Sequence, residues 1–263
     1  MPRDALGSAM KVVEHLSKAR GAVGVRELSR DLGLAVASTH RILRALCRER
    51  LAVQVGDRGL YASGARLVEI ASHLLHTNDL VPIALPLLRG VAADSGESAL
   101  IMTAEGRESV CRASVESDQF LRVVFPVGWR GPLYRGATGR VLLAFQPSRT
   151  IAIVIASGQK AVGALKITDP EDLLLSLARI RRAGYGVSHG ERHEDWSSVA
   201  APIYGPDGRV VAAVAVYGPS ARFARGDLPR HIGLASACAN AVSEALQRRL
   251  GHAGGGRHEH QGA

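Results

Sequence analysis

The sequence predicts an α/β chain of the α+β type, in which a small, mainly helical domain precedes a larger domain of strands and helices. Its 263 residues, 46% of them hydrophobic, fit either one large core or a small and a medium one. Up to residue 50 the periodicity is helical, whereas short strands mixed with helices follow from residue 99. This change of pattern, with Pro82 and Pro86 near the boundary, favours two domains.

Cysteine content and hydropathy disfavour several classes of protein. Cys47, Cys111 and Cys238 are far apart and form no CxxC pair, which argues against a disulfide framework, a zinc site and a dithiol redox centre. We therefore expect no metal and no cofactor. The longest apolar run is too short to cross a membrane, and the first residues lack a signal peptide. A cytoplasmic protein without a membrane partner is expected.

The formal net charge of +9 suits a polyanionic partner, although it also suits any soluble basic protein. Residues 1–76 contain 12 Lys and Arg against 7 Asp and Glu, and the longer remainder contains 21 against 17. The positive charge is therefore denser in the N-terminal part. Most of it comes there from arginine, whose planar fork suits phosphates and guanine edges.

Three helices are predicted in this N-terminal part. Apolar residues recur at helical spacing over 8–19, with Ser8 as the N-cap, and over 25–32, which Gly33 ends. A third helix over 36–49 has a buried stripe at spacings of three and four residues. The stripe consists of Thr39, Ile42, Leu43 and Leu46. The second and third helices are therefore joined by a very short turn.

This arrangement is typical of a helix-turn-helix, whose second helix enters the major groove of DNA. The strand-like segments 51–55 and 60–62 enclose Gly56-Asp57-Arg58-Gly59, which predicts a hairpin with a basic tip, or wing. Scattered arginines are also typical of a merely solvated helix face, but the wing directly behind them favours DNA binding. The candidate DNA-binding residues of this winged helix-turn-helix are Ser38, His40, Arg41, Arg44, Arg48 and Arg58.

The elements of the second domain are predicted from periodicity, caps and turn signals. The predicted strands are 99–103, 108–113, 120–125, 199–204 and 210–217, and the predicted helices are 82–95, 137–145, 170–182 and 228–250. Thr168-Asp169-Pro170-Glu171 is a capping-box sequence at the start of one helix, and Gly205-Pro206-Asp207-Gly208 closes a hairpin. A mainly antiparallel sheet with covering helices follows from this order.

Motifs in both halves resemble one known family. The segments LSRDLGLAVASTHRILRAL (28–46) and LYASGARLVEIA (60–71), then GPLYRGATGRVLLAF (131–145), GYGVSHGE (184–191) and VAAPIYGPDGRVVAAVAVYGP (199–219), resemble the isocitrate lyase regulator (IclR) family of transcription factors. The resemblance covers about residues 6–248. Recognition helices of that family usually begin with Pro-Lys-Ser-Thr, whereas this chain has Ala35-Val36-Ala37-Ser38. A hydroxyl that would touch phosphate is therefore missing at Ala37.

With this resemblance the chain divides into a winged helix-turn-helix domain (1–64), a linker helix (65–77), a GAF-like effector-binding domain (78–250) and a disordered, glycine- and histidine-rich tail (251–263). The resemblance implies a homodimer or a dimer of dimers on a near-palindromic double-stranded DNA operator, acting as a repressor or an activator. A small-molecule effector would change operator affinity through the linker helix.

Residues 137–140 are the first candidate for the effector site. The spacing of Gly131 and Gly136 superficially resembles a phosphate loop, but Ala137 stands where such a loop has lysine, which excludes nucleotide hydrolysis. The resemblance makes 137–140 the wall of a pocket at a helix N-terminus, where free N–H groups and the helix dipole favour a carboxylate. A tight glycine turn without a ligand is the alternative.

Positions carried over from the family complete the predicted pocket. They are Leu133, Thr138, Gly139, Arg140, Ser188, Trp196, Ser198, Ala215 and Tyr217, with Phe125 adding apolar surface. The family often has Asp near the position of Ser188, and a small serine where this chain has Ala215 and Tyr217. The aromatic residues predict an effector with an aromatic or otherwise hydrophobic body. Arg140 would pair with its carboxylate, or else face solvent.

A catalytic function is the remaining alternative. His189, Glu191, His193, Glu194 and Asp195 lie close together in the sequence, near two serines. No HExxH spacing accompanies them, and the nearby glycines indicate strand or loop, so we do not expect an enzyme. The rival class is a sensor or enzyme domain whose basic N-terminus binds nucleic acid without sequence preference. Competition by non-cognate DNA would separate the two classes.

Overall fold

The computed structural model describes residues 5–56, 59–77, 80–161, 169–191, 193–223 and 226–255. The chain forms two compact units, residues 1–78 and 79–263. Arg58, predicted to reach DNA from the wing, and Thr168, predicted to cap a helix, lie outside the described residues.

The described part of the first unit contains helices around a three-stranded antiparallel sheet in the order β1–β3–β2. Its elements are α1 (Ala5–Lys18), β1 (Val23–Gly24), α2 (Val25–Leu32), α3 (Val36–Arg48), β2 (Ala52–Val55), β3 (Leu60–Ser63) and α4 (Ala65–Thr77). Leu28 of α2 and Leu43 of α3 are fully buried in its core. Gly33 ends α2 at a φ of +62°, a left-handed conformation that glycine adopts without steric cost, so α3 begins three residues later.

Two details of this unit differ from the prediction. The first helix begins at Ala5, because Ala5 and Leu6 are good helix formers, and Ser8 therefore lies inside the helix and is not its N-cap. The strand β1 was not predicted, since two residues are too few for a periodic signal. It pairs with β3 and adds a third strand to the hairpin.

The second unit is built on a six-stranded antiparallel sheet in the order β6–β5–β4–β9–β8–β7. Its strands are β4 (Ser98–Glu105), β5 (Glu108–Val115), β6 (Arg130–Pro132), β7 (Gly186–His189), β8 (Trp196–Tyr204) and β9 (Val210–Pro219). Its helices are α5 (Leu80–Ser95), α6 (Gly136–Ala144), α7 (Ser148–Gly158), α8 (Pro170–Ala183) and α9 (Leu228–Gly255).

Helices cover both faces of this sheet, because successive side chains of a strand point to opposite sides. Leu100 and Met102 of β4 pack in one cluster with α6, α7 and α8. Ala99 and Ile101 of the same strand pack in a second cluster with α5 and α9. The predicted α+β fold, with an antiparallel sheet and covering helices, is confirmed.

One predicted strand is absent. Residues 120–125 form an irregular segment, in which Phe120 and Leu121 are 101% and 66% exposed while Val123 and Phe125 are buried. Some of the apolar residues that predicted a strand are therefore exposed to solvent, and others are buried in the core. The edge of β5 pairs with β6 instead, a short strand that the sequence analysis missed. Helix α7 was also not predicted.

Two helix ends are placed differently from the prediction. The carboxylate of Asp169 accepts a hydrogen bond from the N–H of Glu171 at 2.8 Å, so Asp169 is the N-cap of α8. Helix α9 continues to Gly255, five residues past its predicted end, so residues 251–255 are helical and not part of a disordered tail. Residues 256–263 lie outside the described residues.

A buried histidine in α9 predicts a loss of stability in mild acid. His231 is 3% exposed and lies against Phe223, and burial lowers its pKa from the ordinary value of 6.5. Because the folded state resists protonation, the unfolding free energy should fall as pH drops below about 6.5, by at most ~1.4 kcal/mol per pH unit, until the lowered pKa is reached. Urea unfolding of His231→Leu against the unmodified chain measures this slope. An equal slope in both proteins would contradict the assignment.

Candidate DNA-binding surface and effector pocket

The exposed face of α3 carries a row of basic side chains. His40, Arg41, Arg44 and Arg48 are exposed, and Ser38 is half-buried. The four exposed residues border one open groove together with Gln54 of β2 and Tyr61 of β3. Of the predicted DNA-binding residues, Ser38 does not line this groove, and Arg58 lies outside the described residues.

Several other arginines of this unit are paired with carboxylates. Arg30, Arg50 and Arg66 are paired with Asp31, Glu69 and Glu49 respectively. Among the described residues, no carboxylate pairs with the three arginines of α3. Their charge is therefore available to an external anion, as phosphate binding requires.

Three residues of this groove were not predicted as DNA-binding from the sequence: Cys47, Gln54 and Tyr61. Gln54 could have been noticed, because it is a polar residue in an otherwise apolar strand. Cys47 gave no signal beyond a helical position. Burial raises the pKa of its thiol, which disfavours the reactive thiolate.

A pocket in the second unit lies between the sheet, the start of α6 and the irregular segment before β6. It is lined by Leu100, Met102, Val123, Phe125, Thr138, Ser188, Trp196, Ser197, Ser198, Ala215 and Tyr217. Six of the nine predicted effector-binding residues are among them. The free volume is about 30 Å³, enough for a few water molecules. Side chains thus nearly close this pocket.

Aromatic rings form one wall of the pocket. The ring of Phe125 lies 5.8 Å from that of Trp196 and 5.0 Å from that of Tyr217, and Trp129 packs behind it at 4.7 Å. The Tyr217 hydroxyl lies 3.0 Å from the Ser114 hydroxyl. Burial raises the pKa of Tyr217, so the phenol stays neutral and presents an apolar ring to the cavity.

Three hydroxyl groups in the pocket lack a partner. Thr138 and Ser188 are 7% and 4% exposed, and Ser198 is half-buried. Among the described residues, none forms a hydrogen bond with these side chains. Since each hydroxyl can donate and accept hydrogen bonds, these three are available to a polar group of a ligand.

Helix α6 adds backbone donors to the same place. Thr138 is its third residue, so the N–H groups of Ala137 and Thr138 belong to the first turn and have no carbonyl partner within the helix. The positive end of the helix dipole lies there as well. The lining of the pocket therefore combines hydroxyl groups, a residue of the first turn of α6 and aromatic rings.

Three predicted effector-binding residues do not line the pocket. Leu133 is fully buried in the core. A Cβ at Gly139 would lie 2.8 and 2.9 Å from the carbonyl oxygens of Leu133 and Pro132, so Gly139 permits a close backbone contact. Arg140 neither reaches the pocket nor faces solvent, because it pairs with Glu191 and donates to the Val187 carbonyl at 2.7 Å. These three residues therefore have structural contacts in the described part of the chain, and their contact with an effector stays a prediction.

Four pocket residues were not predicted as part of the site: Leu100, Met102, Val123 and Ser197. The first three look like ordinary core residues in the sequence. The Ser197 hydroxyl already has partners within the protein, since it lies 3.0 Å from His189 Nδ1 and donates a hydrogen bond to the Ser220 hydroxyl at 2.9 Å.

Among the histidine and acidic residues near 190, His193 Nδ1 lies 3.7 Å from Asp195 Oδ2, whereas His189 and Glu191 contact residues outside the group. His189 contacts Ser197, Glu191 contacts α6, and the ring of His193 stacks on Trp196 at 5.2 Å. Within the described parts of the chain, no group of three or more His, Cys, Asp or Glu side chains is arranged to hold a metal ion. None of the described helices is long and apolar enough to span a membrane.

A winged helix-turn-helix with an unpaired basic face, followed by a pocket-bearing sheet domain, defines a DNA-binding transcriptional regulator with a ligand-binding domain. The chain matches the model of the bacterial transcriptional regulator IclR C-terminal domain over residues 72–244 and that of the IclR helix-turn-helix domain over residues 5–56. It therefore belongs to the IclR family, and the resemblance found in the sequence is confirmed.

Individual relatives agree with this membership. The HTH-type transcriptional repressor AllR of Escherichia coli K12 is 27% identical over 243 residues, which cover 92% of this chain and 90% of AllR. The crystal structure of Thermotoga maritima IclR is 25% identical with a TM-score of 0.76, covering 93% of this chain and 99% of that one. An IclR homologue from Microbacterium hydrocarbonoxydans, crystallised with 4-hydroxybenzoate, is 22% identical with a TM-score of 0.79, over 93% and 100% of the two chains. At 22% identity, the likeness to the Microbacterium hydrocarbonoxydans protein shows the fold alone.

Proposed function

We propose that this chain is an effector-responsive regulator whose operator affinity changes when a small aromatic acid binds in the pocket of the second unit. The observation that carries the proposal is the set of unpartnered hydroxyls of Thr138, Ser188 and Ser198, which face an aromatic wall. Aromatic rings favour a flat apolar body, and convergent donors favour an oxygen-rich headgroup.

A carboxylate suits the polar groups of the pocket. It would accept hydrogen bonds from these three hydroxyls and from the first-turn N–H groups of α6. No Lys or Arg side chain is among the described residues that line the cavity. The helix dipole and the hydroxyls would therefore supply the charge stabilisation that Arg140 was predicted to give.

Binding of an aromatic ring requires the pocket to open. A cavity that holds benzene has a volume of about 150 Å³, several times the free volume here. Trp196 and Phe125 stand at the wall that would have to move. Effector binding would thereby displace β8 side chains and the segment before β6, which gives ligand binding a structural consequence.

For DNA binding, we propose that the chain acts as a dimer, or as a dimer of dimers, that reads a near-palindromic operator. The unpaired arginines of α3 would contact base edges and phosphates of a half-site, and two copies would read two half-sites. AllR, a relative, is a repressor. Whether this chain represses or activates would follow from the position of its operator.

Tryptophan fluorescence tests the effector class directly. The chain has two tryptophans, Trp129 and Trp196, and both belong to the aromatic wall. Titration with 4-hydroxybenzoate should change the emission saturably, and the same compound should change affinity for a selected operator. Emission that does not respond to any aromatic acid, together with a saturable response to small aliphatic acids, would contradict the aromatic part of the proposal.

The hydroxyls provide a separate prediction. The double variant Thr138→Val, Ser188→Ala keeps the shape of the pocket but removes two donors to the headgroup, so 4-hydroxybenzoate should bind about tenfold to 100-fold more weakly. Ser157→Ala, in α7 and outside the pocket, is the matched control and should not change binding. Unchanged affinity in the double variant would show that the headgroup lies elsewhere.

A further inference from the structure

A carboxylate of the chain itself occupies the start of α6. Glu191, in the connection between β7 and β8, accepts a hydrogen bond from the Gly136 N–H at 3.1 Å through one oxygen. Its other oxygen forms an ion pair with Arg140, and the side chains of Arg140 and Glu191 are 16% and 27% exposed. Gly136 and Arg140 are four residues apart and lie one turn apart on one side of the helix. The helix thus builds an anion position, and Glu191 fills it.

The same end of α6 also faces the effector pocket. Thr138, two residues after Gly136, lines the cavity with a hydroxyl that has no described partner. Ser188 does the same from β7, next to Val187, whose carbonyl accepts a hydrogen bond from Arg140. Thr138 and Ser188 are 7% and 4% exposed as whole residues, and neither hydroxyl has a hydrogen-bond partner among the described residues, so both can bind a polar group of a ligand. An anion bound there would share the helix end with Glu191.

Arg140 retains capacity for a second anion. Its buried Nε has no hydrogen-bond partner among the described residues, although its Nη2 serves both Glu191 and Val187. Guanidinium groups commonly bind two acceptors at once. A shift of Glu191 would therefore leave Arg140, which lies outside the pocket lining, with a free Nε donor and without its carboxylate partner.

We propose that Glu191 is an internal competitor of the effector's carboxylate and so determines how strongly charged effectors bind. The proposal rests on the function given above. The helix end offers about half a positive charge and Arg140 one more, which is less than the charge of two carboxylates, so Glu191 and a bound carboxylate compete for them. Binding of an acid therefore weakens the contacts of Glu191 with Gly136 and Arg140. Binding of a charged ligand therefore changes the contacts of the connection between β7 and β8, which contains Glu191.

The first test compares an acid with its neutral analogue. In Glu191→Gln the amide can still accept the hydrogen bond from Gly136 but carries no charge, so 4-hydroxybenzoate should bind roughly tenfold more tightly than to the unmodified chain. Binding of 4-hydroxybenzamide, followed by the same tryptophan emission, should stay constant. Glu194→Gln removes an exposed charge from the same connection and is the matched control. An acid-to-amide affinity ratio that is the same in the unmodified chain and in Glu191→Gln overturns the proposal.

The second test needs no aromatic effector. Glu191→Ala should empty the anion position, so acetate should raise the melting temperature of this variant and leave that of the unmodified chain nearly unchanged. An equal response to acetate in both proteins refutes an anion position at α6, and with it the proposal. If neither aromatic compound binds to any variant, the proposed effector class fails, and acetate rescue of Glu191→Ala alone then decides for or against the role of Glu191.

Discussion

Replacing Arg41 and Arg44 together by alanine is expected to remove sequence-specific DNA binding. Both side chains are exposed on α3, and neither is paired with a carboxylate among the described residues. A specific arginine contact to a base contributes about 1–3 kcal/mol, so losing two should weaken binding to a selected operator by about 100-fold or more. Selection from a random duplex pool at physiological salt, followed by titration of the enriched sequence, measures the effect.

A matched variant separates recognition from simple charge. Lys18→Ala, Arg20→Ala also removes two exposed positive charges from the first unit but lies at and after the end of α1. It should retain the enriched motif and lose only salt-dependent affinity. If the unmodified chain enriches no near-palindromic sequence and binds all duplexes alike, the basic N-terminus is a non-specific nucleic-acid binder, and the regulator proposal fails at its DNA-reading step.

Gly139→Ala is expected to destabilise the second unit strongly, although alanine is the better helix former. The new Cβ would meet two backbone carbonyl oxygens at 2.8 and 2.9 Å, and backbone cannot rotate away as a side chain can. We expect a loss of about 2–3 kcal/mol in the free energy of unfolding, because overpacking displaces α6 from the strand β6 region. Thermal and urea unfolding measure this loss.

A second helical glycine gives the control. Gly90 lies inside α5, and a Cβ there would meet no atom within 4 Å. Gly90→Ala should therefore raise the free energy of unfolding by about 0.5–1 kcal/mol, the ordinary helix preference of alanine over glycine. Equal behaviour of the two variants would show that α6 can move aside. If Gly139→Ala left stability unchanged but abolished effector binding, Gly139 would be part of the effector site.

The N-terminal unit shows how far local patterns reach. The helix over 25–32 and the start of α3 at residue 36 were predicted because Gly33 and the spacing of buried residues act within a few positions of the chain. The hairpin followed from a short turn between apolar segments for the same reason. The strand β1 was missed, since two residues acquire strand geometry only from β3 beside them.

The effector pocket shows where local patterns end. Thr138, Ser188 and Trp196 were found through motifs of the family, and the structure does bring them together. Leu100 and Met102 were missed, because a strand residue that faces a cavity has the same periodicity as one that faces packed core. The ion pair of Arg140 with Glu191 was not predicted, since Glu191 is distant in the sequence and comes close to α6 only in the folded sheet domain.

The sequence by itself determined the family, the α+β class and the basic face of α3, because each depends on residue order, short-range periodicity or composition. Only the tertiary structure decided which hydroxyls share the pocket, how little space the aromatic rings leave, and that Glu191 already occupies the start of α6. The physical reason is that pairing, burial and electrostatic partners are relations between distant segments. They form only when the chain folds and the sheet brings those segments into contact.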